Sequence, residues 1–262
     1  MDSRVIVERL EPWRTRHRRL AWRPIVKSGD GSLTSSKFAG NPWIGPQAPW
    51  PECALCKTPL QLFLQLNLAE LPESLGAAFG TGLLQLFYCI REECAGLGGW
   101  APFEDKLSRV RVVQPTTAGL GSDVPGGRGS FLGKRIVGWK QFTDLPEPGE
   151  HESLGLRYSY DFNAGTVRLE CKELGLLFDE VQDEEIAEKV GDCASGDKLH
   201  GWPKWVQGVE YPTCPRCRRT MRFVFQIDSE DNVPFMFGDM GRGHITQCPE
   251  HKGVVAFEWA CS

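Results

Sequence analysis

Two Cys-x-x-Cys pairs, Cys53/Cys56 and Cys214/Cys217, stand 161 residues apart in this chain of 262, and they constrain its fold more than any other feature. Such a pair puts two thiols on one tight turn, which is half of what a tetrahedral metal site requires. The same offset aligns Lys37 with Lys198, Gly40 with Gly201, Pro42 with Pro203, Pro51 with Pro212 and Gln65 with Gln226. With the cysteines this makes seven identities over 29 ungapped positions, where ordinary residue frequencies give roughly two. Trp50/Tyr211, Lys57/Arg218 and Leu60/Met221 add similar pairs. The chain reads as an internal duplication.

Each copy follows one plan. A Gly/Pro segment leads to the Cys pair, and an apolar run of β character follows at 60–68 and at 221–227. After a loop comes a second apolar strand that ends in a cysteine, at 83–89 and at 244–248. Further strands are expected at 110–113, 135–139, 166–171 and 254–259. The stretch 179–190, acidic at its start and apolar at Val181, Ile186 and Val190, predicts an amphipathic helix, and a short helix is expected within 69–79. The fold class is therefore α+β and β-rich, with two related lobes of mainly antiparallel strands. The lobes are residues 1–113 and 135–262, joined by a Gly/Pro/Ser-rich loop at 114–134, and the two can also share one compact domain.

The cysteines fall into sets of four. Cys53, Cys56, Cys89 and Cys94 make the first, and Cys214, Cys217, Cys248 and His251 the second, its last pair spaced CxxH. Two turns from separate hairpins, brought to one end, surround a point with four soft donors. This is zinc-ribbon logic, and it predicts about two structural Zn²⁺ per chain, since a catalytic zinc keeps one position open. The competing reading is ordinary buried or redox-active thiols. Cys261 is an alternative to His251 as fourth donor. Cys171 and Cys193 have no counterpart in the repeat and read as small core residues. Gln65 and Gln226, within apolar runs, must be hydrogen-bonded if buried; each is expected to clamp its strand to a neighbouring loop or, less simply, to contact a ligand.

Other features separate function classes. The net charge of −4 argues against a general nucleic-acid binder. The basic stretch from Arg14 to Lys27, with Trp13 and Trp22 among its charges, fits either an RNA contact or a solvated edge strand guarded by positive charge. The most apolar stretch, 83–90, is far shorter than the roughly 20 residues of a spanning helix. Residues 1–10 lack the apolar core of a signal peptide, so a cytoplasmic location without membrane contact is expected. No GxSxG, Walker A or HExxH pattern occurs, and His17, His151, His200 and His244 are scattered. Gly238, Asp239, Gly241 and Gly243 form a Gly-rich loop that could cradle a ligand or simply turn between strands. Glu93 and Glu250 flank the two Cys sets and read as solvated turn residues.

The run from Lys37 to Trp43, Trp50-Pro51 with the Cys pair, the run from Phe225 to Asp228, Phe237-Gly238-Asp239 and the run from Gln247 to His251 resemble the bacterial YwqG-like family, a domain of unknown function. That family is similar in turn to the programmed cell death protein 2 family, some of whose eukaryotic members are chaperones of a ribosomal protein. The resemblance implies a duplicated fold and a non-enzymatic, protein-binding role of chaperone or adaptor type. Some members lack the cysteines, so the metal is not a requirement of the fold. An RNA- or ribosome-associated factor and a hydrolase with its site at the Gly238 to Gly243 loop are the alternatives.

Overall fold

A computed structural model describes residues 2–46, 48–94, 97–98, 101–103, 105–116 and 131–262. Most of the expected Gly/Pro/Ser-rich loop, residues 117–130, lies outside the described residues. The architecture is mostly antiparallel β-sheet with few helices. By compactness the chain divides into a smaller unit (Met1–Ala21, Gln141–Ser195, His200–Glu210) and a larger one (Trp22–Lys140, Gly196–Leu199, Tyr211–Ser262).

The larger unit is built on a ten-stranded sheet. In chain order its strands are β1 (Arg19–Ser28), β2 (Lys37–Phe38), β3 (Gln61–Asn67), β4 (Leu83–Tyr88), β5 (Ser108–Val113) and β6 (Lys134–Asp144), then β10 (Lys198–His200), β11 (Arg222–Asp228), β12 (Arg242–Gln247) and β13 (Val255–Ala260). Across the sheet they run β13-β12-β11-β10-β1-β6-β2-β3-β4-β5. The two outermost strands, β5 and β13, come together, so the sheet curls toward a barrel. The order is a mirror: β2 to β5 descend on one side of the central β1–β6 pair as β10 to β13 do on the other. Each set of four is flanked by the central strand that belongs, in chain order, to the opposite half.

The local detail repeats. Lys37 faces Gln65 as Lys198 faces Gln226, and the ladders carry irregularities at Leu62/Leu64 and at Phe223/Phe225. Ala39 and His200 both hold a left-handed φ, 52° and 58°. The core of this unit is aromatic: Phe63, Tyr88, Phe237, Phe257 and Trp259 are buried within it, with Phe63, Phe235 and Phe237 in edge or tilted contact and Trp259 Nε1 donating to Tyr88 Oη at 2.8 Å.

The smaller unit holds helices α1 (Ser3–Arg9), α2 (Glu11–His17) and α3 (Ile186–Gly191) and a three-stranded meander of β7 (Leu156–Asp161), β8 (Thr166–Cys171) and β9 (Leu176–Val181). Asp2 caps α1 by accepting from Arg4 N at 2.9 Å, as an N-cap carboxylate does. Ile6, Leu10 and Trp13, spaced one helical turn apart, bury against Val167, Leu169 and Phe178. His151 is fully buried in this unit, with Nδ1 at 2.9 Å from Tyr158 Oη and Nε2 at 3.0 Å from the Pro146 carbonyl. Burial holds its pKa down near 4.

Several expectations change. The helix expected over 179–190 is confined to Ile186–Gly191, because Leu176–Val181 is a strand and Glu180 takes a left-handed φ of 56° that no helix accepts. The helix expected within 69–79 is two 3₁₀ turns, Leu68–Glu70 and Glu73–Leu75. The basic stretch from Arg14 to Lys27 is not an edge strand: its first part is in α2 and the rest in β1, at the middle of the sheet. Arg14 donates to Val190 O at 3.1 Å, Arg16 pairs with Glu173 at 2.9 Å, and Arg19 lies 3.2 Å over the Trp202 ring. The remaining expected strands are present within a residue or two of their bounds, β6 running on to Asp144. No helix among the described residues is long and apolar enough to cross a membrane.

Candidate metal centres

Each Cys pair sits on a knuckle made by its own backbone. Cys53 N donates to Thr58 O and Lys57 N to Cys53 O, at 2.9 and 3.0 Å; Cys214 N donates to Arg219 O and Arg218 N to Cys214 O, both at 2.9 Å. An isolated bridge closes each turn, Glu52 to Pro59 and Thr213 to Thr220. Lys57 and Arg218, one residue past the second cysteine, both hold φ at 61°. A left-handed conformation costs an L-residue about 1 kcal/mol, so the same strain at the same place in both turns marks a bend the site requires.

The other two donors arrive from the far end of the next strand. Cys89 follows β4 and is fixed by Cys89 N to Leu107 O at 2.8 Å, and Cys94 closes the turn Glu92–Cys94. Cys248 follows β12, with Cys248 N to Val254 O at 3.0 Å and Val254 N to His251 O at 2.7 Å turning His251 back toward it. All eight side chains chosen by spacing are thus brought together in two groups of four, and within each group the donor atoms lie within 4.8 Å of one another. In the first, Cys53 and Cys94 Sγ are 4.0 Å apart and Cys56 and Cys89 Sγ 3.7 Å. In the second, Cys217 and Cys248 Sγ are 3.5 Å apart, with His251 Nδ1 at 3.6 Å from Cys248 Sγ and 3.9 Å from Cys214 Sγ.

These distances discriminate. A disulfide needs sulfurs about 2.05 Å apart. Four donors about 2.3 Å from a common centre at tetrahedral angles are about 3.8 Å from one another, and the five separations above, from 3.5 to 4.0 Å, bracket that value. Cys53, Cys89 and Cys94 of the first group and Cys214 and Cys248 of the second are buried, while Cys56, Cys217 and His251 reach partly to solvent. The Thr58 hydroxyl, 3.0 Å from Cys56 Sγ, holds that thiol down to about 6, whereas burial pushes Cys94 up to about 11. Each group can hold a metal ion, and the thiolate-rich donor set suits a soft or borderline cation.

A family model described as "Domain of unknown function (DUF1963)" matches residues 36–250, a span that takes in both knuckles and all seven cysteine donors and stops one residue short of His251. The chain belongs to the DUF1963 family. A second comparison finds a 34-residue stretch 53% identical to a protein of Salmonella typhimurium (strain LT2) named "Uncharacterized protein YpfL". That stretch covers 13% of this chain and 8% of the relative, so the chain spans only a small part of the curated relative's length.

Other singled-out residues find structural places in this DUF1963 fold. Cys261 is not in the second group; it packs on Gly238, where an added Cβ would come within 2.6 Å of its Sγ. Gly243 likewise admits the Phe257 ring, so the Gly-rich loop serves close packing of β12 on β13. Cys171 is in the core of the smaller unit, and Cys193 is buried with Sγ 3.5 Å from Trp202 O. Glu93 lies 3.5 Å from Arg91 and Glu250 2.6 Å from Arg219.

Gln65 is the clamp that its burial demands. Its Nε2 donates to Leu33 O and Ser35 O at 2.8 and 2.9 Å, and its Oε1 accepts from Trp43 N at 3.0 Å and Gln85 Nε2 at 2.8 Å. Gln226 Nε2 donates to Gly196 O, the counterpart of Ser35, at 2.9 Å. The sequence reading missed that each clamp belongs to a row. Lys37, Gln65, Gln85 and Arg111 are successive cross-strand neighbours from β2 to β5, and Lys198, Gln226, His244 and Glu258 are the same from β10 to β13. Gln85 and His244 correspond only at the offset of 159 that relates Cys89 to Cys248, because the β3–β4 connection is two residues longer than its partner. An ungapped comparison cannot register them.

Proposed function

We propose that this protein is a non-enzymatic, protein-binding module of adaptor or chaperone type, descended from one duplicated unit and held by two structural Zn²⁺ ions. The carrying observation is that each donor group is closed. Each offers four donor atoms within 4.8 Å of one another, the full set of a structural site, whereas a catalytic zinc keeps a position for water or substrate. Cys53, Cys56, Cys89 and Cys94 would hold one ion, and Cys214, Cys217, Cys248 and His251 the other; bound there, zinc contributes folding energy and fixes the loop ends of the β3–β4 and β11–β12 hairpins. The mirrored strand order and paired registers favour duplication, and they fit a kinship with the YwqG-like and programmed cell death protein 2 families.

Capture from a native lysate, with and without nuclease, tests the role. A protein that co-purifies regardless of nuclease, and is lost from metal-stripped protein, supports the module. Capture that disappears with nuclease favours an RNA-associated factor instead.

A further inference from the structure

Strand β6 has one open side. Ile136 donates its N–H to Ser36 O at 2.9 Å, where β2 runs beside it with Lys37 opposite Arg135 and Phe38 opposite Lys134. But β2 is only two residues long. The chain before it turns off, Ser35 N donating to Ser32 O at 3.2 Å, and the Ser36 N–H goes to Glu70 Oε2 at 2.9 Å rather than to the Ile136 carbonyl. β6 runs on for eight residues past Ile136, to Asp144, and among the described residues no strand pairs with it there on the side of β2. A strand presents about half of its backbone N–H and C=O groups to each side, so the 137–140 stretch offers an edge to which a strand can be added.

In place of a strand there is a cavity of about 290 Å³, lined by Ser35, Ser36, Glu70, Arg135, Gly138 and Trp139. Trp139 forms a firm wall, its Nε1 donating to Glu70 O at 3.1 Å. β6, and β1 on its other side, are one-sided in charge, Glu70 being the carboxylate in the cavity lining. Residues 22–28 and 134–140 carry Arg23, Lys27, Lys134, Arg135 and Lys140 and not one Asp or Glu, in a chain whose net charge is −4. Arg23, Lys27, Arg135 and Lys140 are exposed, as are Ile25 and Val137 between them. Positive charge along an open edge also serves to discourage aggregation, but that role accounts for neither the walled cavity nor the carboxylate that draws Ser36 out of the ladder.

We propose, resting on the protein-binding reading, that this opening receives an extended, acidic segment of a partner protein, which adds a strand beside Ile136–Lys140. Main-chain hydrogen bonds to the 137–140 stretch supply the register, as in other strand-addition complexes. The Arg and Lys side chains select Asp and Glu on the incoming strand.

The test uses the full chain and three labelled octapeptides: one alternating Val or Thr with Glu, the same peptide with Lys for Glu, and the Glu peptide N-methylated on alternate residues. Binding is read by fluorescence anisotropy. The Glu peptide should bind at least about tenfold more tightly than the Lys peptide, and N-methylation should weaken it about tenfold through loss of two main-chain bonds. Amide exchange within residues 137–140 should slow only with the Glu peptide, and Arg135→Glu/Lys140→Glu, both exposed, should abolish the preference without lowering the melting temperature. Equal binding of Glu and Lys peptides, unchanged exchange throughout residues 137–140, or no binding of any peptide overturns the edge. A nuclease-resistant lysate partner that still binds Arg135→Glu/Lys140→Glu also overturns the edge while leaving the protein-binding reading intact; absence of any such partner for wild-type protein removes that reading itself.

Discussion

Replacing Gln65 by Leu tests whether a buried amide holds the loop over the β2–β3 ladder. The side chain is fully buried, and all four of its hydrogen-bonding capacities are used. Leu matches the volume closely and adds favourable apolar burial of about 1–2 kcal/mol. Against this, the carbonyls of Leu33 and Ser35, the N–H of Trp43 and the Gln85 amide each lose a partner. An unsatisfied buried group costs about 1–3 kcal/mol; the two carbonyls can recover part of that by relaxing toward water, which leaves a net loss of about 3 kcal/mol. That is a large share of the 5–15 kcal/mol typical of a domain, and it corresponds to a fall of about 6–12 °C in melting temperature for a unit of this size. Urea titration of wild type and variant, followed by tryptophan fluorescence, measures it. Amide exchange at Trp43, whose N–H donates to Gln65, reports directly on the loop. A loss below about 1 kcal/mol, with exchange at Trp43 unchanged, would refute the claim that the amide fastens this segment.

Elemental analysis of protein purified without added metal should find about two zinc ions per chain; less than half an equivalent, with disulfides in the Cys pairs, defeats the metal assignment. Cys217→Ser should lower thermal stability and solubility, by less than the roughly 10–16 kcal/mol of an isolated finger because the β11–β12 hairpin has its own core; a variant as stable as wild type with an intact metal count would count against Cys217 as a donor. Stability should also fall on the acid side through His151. Its folded pKa near 4 lies below the ordinary 6.5, so the neutral ring contributes fully above about 6.5 and its contribution is lost as the pH falls toward 4, a swing of about 3 kcal/mol. His151→Gln should flatten that part of the pH–stability curve, measured by denaturation at fixed zinc; an unchanged slope would show that other groups set it.

Some of this fold was legible and some was not, for identifiable reasons. The hairpin strands show up as continuous apolar runs because they are covered on both faces: every residue of β4 is buried. The eight candidate donors could be grouped because a CxxC or CxxH spacing fixes geometry within a few residues. Leu176–Val181 was hidden because Val181, Ile186 and Val190 happen to fall near a helical period, and nothing in the sequence announces the left-handed Glu180 just before them. The N-terminal helix did carry a signal, Ile6–Leu10–Trp13 with Asp2 as cap, but its interspersed charges masked the period. That the basic β1 lies centrally is tertiary information. It depends on which strands arrive beside it, and no local pattern encodes that.

The exchange of the two central strands sets a timetable for making the molecule. β1 rests between β6 and β10, and β10 begins 179 residues after β1 does. At about 5–20 residues per second, β1 leaves the ribosome roughly 10–40 s before its last neighbour exists. The first donor group, by contrast, is complete within the 42 residues from Cys53 to Cys94, so the β3–β4 hairpin can close on a metal ion early and wait. An order of assembly follows, in which the outer hairpins form locally and the centre of the sheet is threaded last, leaving β1 and its apolar residues open to other chains throughout synthesis.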